Sequence, residues 1–328
     1  MMLTIKRKTI LSLSAAAAAL ALALSGCVAA PAESSDTSTA DPSAPTTAAT
    51  TAATTAADTG FRFTRDTFPT LNGSSSTKPM AEGLAMALLG EPKEDVQDLL
   101  TFSRTTQSYR ELMQGNADLL LAAEPAETIW TEKKKNNFDW QMDILAYDGL
   151  VFIVNKDNPV DSLTADQIRG IYSGKITNWS QVGGSDLEIV PFQRNEEAGS
   201  QAAMKKLVMG DTPMMKAAGT YVVNSMGALV DAVAAFDGSP AAIGYTMYYY
   251  AVNMGMAKDL KLLKVGGVAP EVGTIGSGKY PFRNNYYVVS KAGLDEKDPT
   301  AILHRWLLTA SGQTLLQKLG YVPAGKTE

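Results

Sequence analysis

The stretch Pro191-Phe192-Gln193-Arg194-Asn195-Glu196-Glu197-Ala198-Gly199-Ser200-Gln201 decides how the chain is read. The apolar run Leu187 to Phe192 ends in a polar loop carrying an arginine, and Gly199-Ser200 then opens a segment, Gln201 to Met209, of helical character. The first N–H groups of a helix have no internal partner and stand at the positive end of its dipole, so such a loop is suited to an anion. An arginine fork just upstream adds a planar donor that can grip two oxygens of a tetrahedral anion. Taken alone, the segment fits a capped surface helix with a solvated arginine equally well. The rest of the chain has to decide.

A length of 328 residues suggests about two globular units at roughly 150 residues each, and 45% apolar content is enough to fill a core. The first sixty residues stand apart from it. Lys6-Arg7-Lys8 is a positive n-region, Thr9 to Leu24 an Ala/Leu-rich h-region, and Leu24-Ser25-Gly26-Cys27 closes the pattern of a secretory signal. That tetrapeptide resembles the lipobox of bacterial lipoproteins, which implies cleavage after residue 26 and lipid on Cys27. Cys27 is the only cysteine, so an intrachain disulfide is excluded and the residue reads as an anchor point. Loss of residues 1–26 removes three basic and no acidic residues, leaving 26 Lys and Arg against 34 Asp and Glu. An acidic chain of this kind is no partner for nucleic acid, and any anion must be held by local geometry.

Residues 28–60 are Thr, Ala, Ser, Pro and Asp with almost no large apolar side chain, the composition of a flexible tether. Folding is expected from Phe61, and no later run is long enough for a membrane span. Strand-like runs cover 98–102, 118–123, 149–154, 187–192, 241–245, 260–265 and 285–290. Helix-period segments cover 79–89, 106–113, 164–172, 201–209, 225–236, 299–308 and 312–319. Pro79 and Pro299 sit at first-turn positions, and Thr164 precedes Asp166 as a cap would. The alternation predicts an α/β architecture with mainly parallel sheets. Turn-rich exits at 154–159 and 280–284 are the candidate crossings between two lobes.

Polar groups gather at other strand ends. Gly73-Ser74-Ser75-Ser76-Thr77-Lys78-Pro79 is a hydroxyl-rich loop entering a helix, also readable as a Ser-rich capped turn. Thr101 to Thr106 repeats the arrangement, and Asp118 to Pro125 places Glu124 at the end of an apolar run, the sheet edge where ligands bind in open α/β folds. A carboxylate beside an anion suits phosphate, which still carries an O–H near neutral pH, and repels sulfate, which carries none. Gly273 to Lys279 has the spacing of a nucleotide P-loop, but Tyr280 replaces the hydroxyl residue and Pro281 does not continue a helix. His304, the only histidine, lies in a helix-period run and reads as a helix-face residue, while Tyr245 and Tyr248 to Tyr250 read as packing. With one His and one Cys, neither a Cys/His zinc cluster nor a Ser–His–Asp triad has the residues it needs. No cofactor or metal is expected, and no nucleophile–base pair points to an enzyme.

From Thr67 to Ala324 the chain resembles the phosphate-binding lipoproteins that feed phosphate ABC importers. The likeness rests on Gly174-Lys175-Ile176-Thr177-Asn178-Trp179, on Phe192-Gln193-Arg194 leading to Gly199-Ser200, on Ala241-Ala242-Ile243-Gly244-Tyr245, and on Gly312-Gln313 with Gly320-Tyr321-Val322-Pro323. It implies an α/β, two-lobed periplasmic-binding-protein (type II) fold with two crossing segments as hinge. Residues 60–151 plus 284–328 would form one lobe and 152–283 the other. The resemblance places phosphate on Ser76, Thr77, the Lys78 backbone N–H, Thr105, Arg194, Gly199 and Ser200. Glu124 would accept the phosphate proton, at a spacing one residue longer than in relatives with Asp, and Glu196 would orient the arginine. One departure stands out: Ala198 replaces the family's loop serine and Glu197 the preceding glycine, which removes a donor and adds a negative charge. The implied protein is a monomer tethered by lipid on Cys27 to the outer face of the cytoplasmic membrane, passing phosphate to ABC permease subunits. Alternatives are a receptor for another oxyanion, or a sensor or adhesin lipoprotein on the same fold.

Overall fold

A computed structural model of the protein describes residues 60–328; the signal segment 1–26, Cys27 and the tether to residue 59 lie outside the described residues. In chain order the strands are β1 (Leu71–Gly73), β2 (Leu119–Ala123), β3 (Trp140–Asn155), β4 (Ser162–Leu163), β5 (Val190–Pro191), β6 (Gln193–Arg194), β7 (Val222–Val223), β8 (Ala242–Met247), β9 (Leu260–Leu262), β10 (Lys264–Val265), β11 (Arg283–Lys291) and β12 (Val322–Pro323). The α-helices are α1 (Lys78–Leu89), α2 (Thr105–Gln114), α3 (Glu127–Lys135), α4 (Ala165–Tyr172), α5 (Gly199–Ala203), α6 (Met226–Ala234), α7 (Val272–Gly276), α8 (Pro299–Leu307) and α9 (Ala310–Lys318).

The long strand β3 organises the two-lobed fold. From Trp140 to Gly149 it pairs antiparallel with β11, and from Leu150 onward it pairs with β8 and β9. The sheet order β1-β2-β11-β3-β8-β5 therefore changes neighbourhood within one strand. Parallel pairing is confined to short edges, β1 with β2 and β5 with β8 in this sheet, and β4 with β10 and β6 with β7 beside it. The expectation of mainly parallel sheets is thus corrected: the long strands β3 and β11 run antiparallel to their neighbours and carry most of the pairing.

Local sequence explains the helix starts. Thr164 accepts from the Gln167 N–H at 3.1 Å while the Gln167 side chain accepts from the Thr164 N–H at 2.8 Å, a reciprocal cap. Asp298 caps α8 ahead of Pro299. Around β3 the apolar faces close a core in which Phe152, Tyr172 and Tyr245 contact edge to face or tilted. Residues 98–102, expected as a strand, instead form a 3-10 turn at Gln97–Leu99 and a lone bridge from Leu100 to Leu71. Among the described residues no helix is long and apolar enough to cross a membrane.

Candidate functional site

Three chain segments entering helices converge on one cleft of about 600 Å³. One wall is made by Ser74 to Ser76 ahead of α1, by Ser103 to Thr105 at the start of α2, and by Ala123 at the end of β2. Arg194 at the end of β6, residues 197–200 running into α5, Asn224 and Met226 supply the other. None of the three helix starts is capped by a side chain of its N-cap residue, and Thr105 at the start of α2 and Gly199 and Ser200 at the start of α5 line the cleft themselves.

Glycine permits the close approaches on both sides. A Cβ at Gly73 would lie 1.8 Å from the Leu121 carbonyl oxygen, within the β1–β2 pair, and one at Gly199 would lie 2.3 Å from Thr105 Oγ1, across the cleft. The hydroxyls beside them are already positioned. Ser74 Oγ accepts from the Ala123 N–H at 2.9 Å and meets Thr105 Oγ1 at 2.8 Å.

Arg194 is the central charge. It is only 4% exposed. Nε donates to the Val223 carbonyl at 3.1 Å, one terminal nitrogen to Ser200 Oγ at 3.2 Å, and the other to the Asn224 carbonyl at 3.4 Å. Its own N–H donates to the Tyr245 hydroxyl, which in turn donates to Gln201. Among the described residues no carboxylate lies within ion-pair distance of this guanidinium. Burial, reinforced by the nearby positive charge of Arg104, pulls its pKa down to about 10, so it remains charged at neutral pH. A buried cation held by neutral acceptors alone leaves much of its desolvation cost uncompensated, and an anion in the cleft would supply the missing partner.

Of the residues expected at the site, Ser76, Thr105, Arg194, Gly199 and Ser200 line the cleft together. Thr77 does not present its hydroxyl there; it is fully buried, and Oγ1 donates to the carbonyls of Ser74 and Leu121. Lys78 opens α1 outside the lining, its ammonium 3.9 Å from Glu82. Glu124 is not brought into the cleft either. It pairs with Lys206, and the residue of β2 that faces the cleft is Ala123. The expected contact of Glu196 with Arg194 is replaced by an ion pair between Glu196 and Lys205.

Sequence reasoning missed two further cations. Arg110, on α2, reaches Glu197 at 2.9 Å across the cleft and also holds Glu132 at 2.8 Å, contacts that push its pKa up. The negative side chain at 197 is therefore neutralised where it enters the site. Arg104 lines the cleft with an exposed side chain, donates to the Asn224 carbonyl at 3.1 Å, and stands at φ 73° and ψ 163°. That backbone region is nearly reserved for glycine and is typical of functional positions. A side-chain periodicity reading could not find either residue, since both look like solvated helix-flank arginines. Elsewhere, His304 is buried between Ser290 and Asp143, and the P-loop-like stretch begins in the short α7 and leaves it after Gly276. Among the described residues no cluster of His, Cys, Asp and Glu is arranged to hold a metal.

Comparison with known proteins places these features in a family. Residues 41–302 match the PBP superfamily domain. The phosphate-binding protein PstS of Bacillus subtilis is 28% identical over 232 residues, 69% of this chain and 71% of that protein. PstS of Borreliella burgdorferi is 28% identical over 184 residues, 55% of this chain, and the match spans 64% of that relative, just under two thirds of its length. A Clostridium perfringens protein solved with bound phosphate superposes with a TM-score of 0.59 at 25% identity, covering 77% of this chain and 98% of that one.

Proposed function

The chain belongs to the PBP superfamily, and from that premise we propose that it captures inorganic phosphate between its two lobes and delivers it to an ABC permease. The observation that carries this reading is Arg194: a buried guanidinium with no carboxylate partner, facing a cleft lined by serine and threonine hydroxyls. Phosphate would complete that coordination, with Ser200, Thr105 and Ser76 as further contacts and the helix starts as backbone donors. The lobes are assigned to 60–151 plus 284–328 and to 152–283, so the cleft walls belong to different lobes and closure brings them together. Ligand then favours the closed form that a permease recognises. Lipid on Cys27 and the tether would hold the receptor beside that permease.

The Glu197–Arg110 pair bears on the rival sensor or adhesin reading. That reading rests on the altered loop, which lacks a hydroxyl at Ala198 and carries a charge at Glu197; Arg110 supplies the charge with a partner. Calorimetric titration of the full chain, stripped of carried-over ligand by unfolding and refolding, tests the proposal. Phosphate should bind with Kd of about 1 μM or tighter, with sulfate titrated in parallel; binding of sulfate alone would make the chain a receptor for another oxyanion, and silence from both would return it to the sensor or adhesin class.

A further inference from the structure

Ser76, which lines the cleft, is joined from below to a buried carboxyl. Its Oγ lies 2.6 Å from the Tyr286 hydroxyl, and that hydroxyl also meets Asp148 Oδ2. All three residues are at most 2% exposed, so water does not compete for these contacts. The other carboxyl oxygen, Oδ1, accepts from the N–H groups of Gly149 at 2.7 Å and Tyr249 at 3.1 Å. The Ser76 carbonyl accepts from the Tyr321 hydroxyl at 2.8 Å. A hydrogen-bond chain thus runs from the place where β3 changes partners to the cleft wall.

Tyr286 has one hydroxyl proton and two oxygen neighbours, so the chain points one way at a time. With Asp148 ionised, the carboxylate accepts the Tyr286 proton and Ser76 donates its own proton to the Tyr286 oxygen. Ser76 then has only lone pairs left for the cleft. With a proton on Oδ2, Asp148 donates to Tyr286 and Tyr286 donates to Ser76. The Ser76 proton is then free for an anion. Burial pushes the Asp148 carboxyl up to about 6, which brings both directions within reach near neutral pH. The titratable groups packed around it are Tyr286 on β11, Tyr248 and Tyr249 after β8, and Tyr321 before β12. Burial raises the pKa of each tyrosine, so all four stay neutral through pH 8. Farther out, Glu82 on α1 faces Tyr249, Glu271 ahead of α7 faces Tyr248, and Arg283 covers the Tyr147 ring. Among the described residues no cation lies within ion-pair distance of Asp148.

Resting on the phosphate reading above, we propose that Asp148 is a proton switch for the cleft: its protonation frees the Ser76 hydroxyl for the anion, and an anion bound there draws a proton from solvent onto Asp148. The bound anion therefore raises the Asp148 pKa further, so affinity is greatest below the value of the empty protein and falls as pH rises through it. A hydrogen bond to a charged partner is worth about tenfold or more in affinity, which sets the expected span. Asp148→Asn fixes the direction. The two N–H donors hold the amide oxygen at the Oδ1 position, which leaves the amide nitrogen to donate to Tyr286 and the Ser76 proton free at every pH.

The test is calorimetric titration of inorganic phosphate into the full, ligand-stripped parent and Asp148→Asn at pH 5.5 and pH 8, a comparison that cancels the ligand's own titration. Between the two pH values the parent should lose at least about fivefold more affinity than Asp148→Asn, and the two should agree within about twofold at pH 5.5. Parallel pH profiles overturn the inference and leave the phosphate reading intact, whereas silence from phosphate in both proteins overturns both. With Ser76→Ala added to each protein the difference should vanish; its persistence would contradict the route through Ser76. Should Asp148→Asn fail to fold, proton uptake measured in two buffers of different ionisation enthalpy reads the same switch. At pH 6.5 the parent should take up at least about 0.3 proton more per phosphate than Tyr286→Phe, and equal uptake overturns the inference.

Discussion

Arg104 holds a backbone conformation that side chains resist, φ 73° with ψ 163°, at the entrance to α2. Such a conformation costs about 1–3 kcal/mol and persists where the surroundings enforce it. Arg104→Gly should therefore raise the unfolding free energy by about 1 kcal/mol, after the larger chain entropy of glycine is subtracted. The same change should weaken anion binding by removing a cleft cation. Denaturant unfolding and phosphate titration of the one variant read both signs; loss of stability would show that the arginine contacts outweigh the strain. Glu124 makes the opposite kind of point. Because its carboxylate is engaged by Lys206, Glu124→Gln should change the ratio of phosphate to sulfate affinity by less than about threefold, and a collapse of that ratio would show the carboxylate reaching the ligand. This residue also marks the limit of sequence reading. The strand ends at Ala123, which lines the cleft, and Glu124 just beyond it pairs with Lys206; where the chain turns after a strand is not written in the strand's own pattern.

At the scale of elements, the helices with start signals were legible: α1, α4 and α8 fall within one residue of the expected bounds. Capping residues and proline at first-turn positions report local physics, which sequence carries directly. The first half of β3 was not legible, because Gln141, Met142, Asp143 and Ile144 lie partly or fully exposed and show no clean alternation. What makes it a strand is its pairing with β11, far along the chain. Where β3 changes partners, Asp148 is 2% exposed and accepts from the Gly149 N–H at 2.7 Å, the Tyr249 N–H at 3.1 Å and the Tyr286 hydroxyl. Burial pushes this carboxyl up to about 6 from an ordinary 3.8, against the opposing pull of those hydrogen bonds. The folded protein thus binds this proton more tightly than the unfolded chain. Its contribution to stability is fully present below about pH 4 and is lost as pH rises through 6, to the extent of roughly 3 kcal/mol. Asp148→Asn retains one acceptor and adds a donor, so the stability difference between variant and parent should shift in the variant's favour from pH 4 to pH 7. Parallel stability curves from chemical denaturation at the two pH values would refute a shifted Asp148.

For the whole molecule, the loops that build the site come from positions far apart in the chain, and only the fold sets Arg194 opposite Thr105. That Arg194, Gly199 and Ser200 share one site was readable, because one loop holds both the arginine and the helix start. Arg110 was not readable, since its role depends on Glu197 arriving from the other wall. An acidic chain that nevertheless concentrates Arg104, Arg110 and Arg194 at one cleft would hold the proposed anion by local geometry rather than overall charge. On the proposed function, Arg194 is kept buried for a ligand at the expense of the empty fold. Thermal unfolding of the parent and of Arg194→Gln, each with and without phosphate, tests it most directly. Without ligand the variant should unfold at the same temperature as the parent or higher, because a buried cation lacking a counter-charge has been removed. Phosphate at about 100 times its Kd should stabilise the parent by about 2.7 kcal/mol and leave the variant unmoved. A variant that unfolds earlier when empty, and still gains the full stabilisation from phosphate, would contradict the assignment of Arg194 as the anion-binding residue.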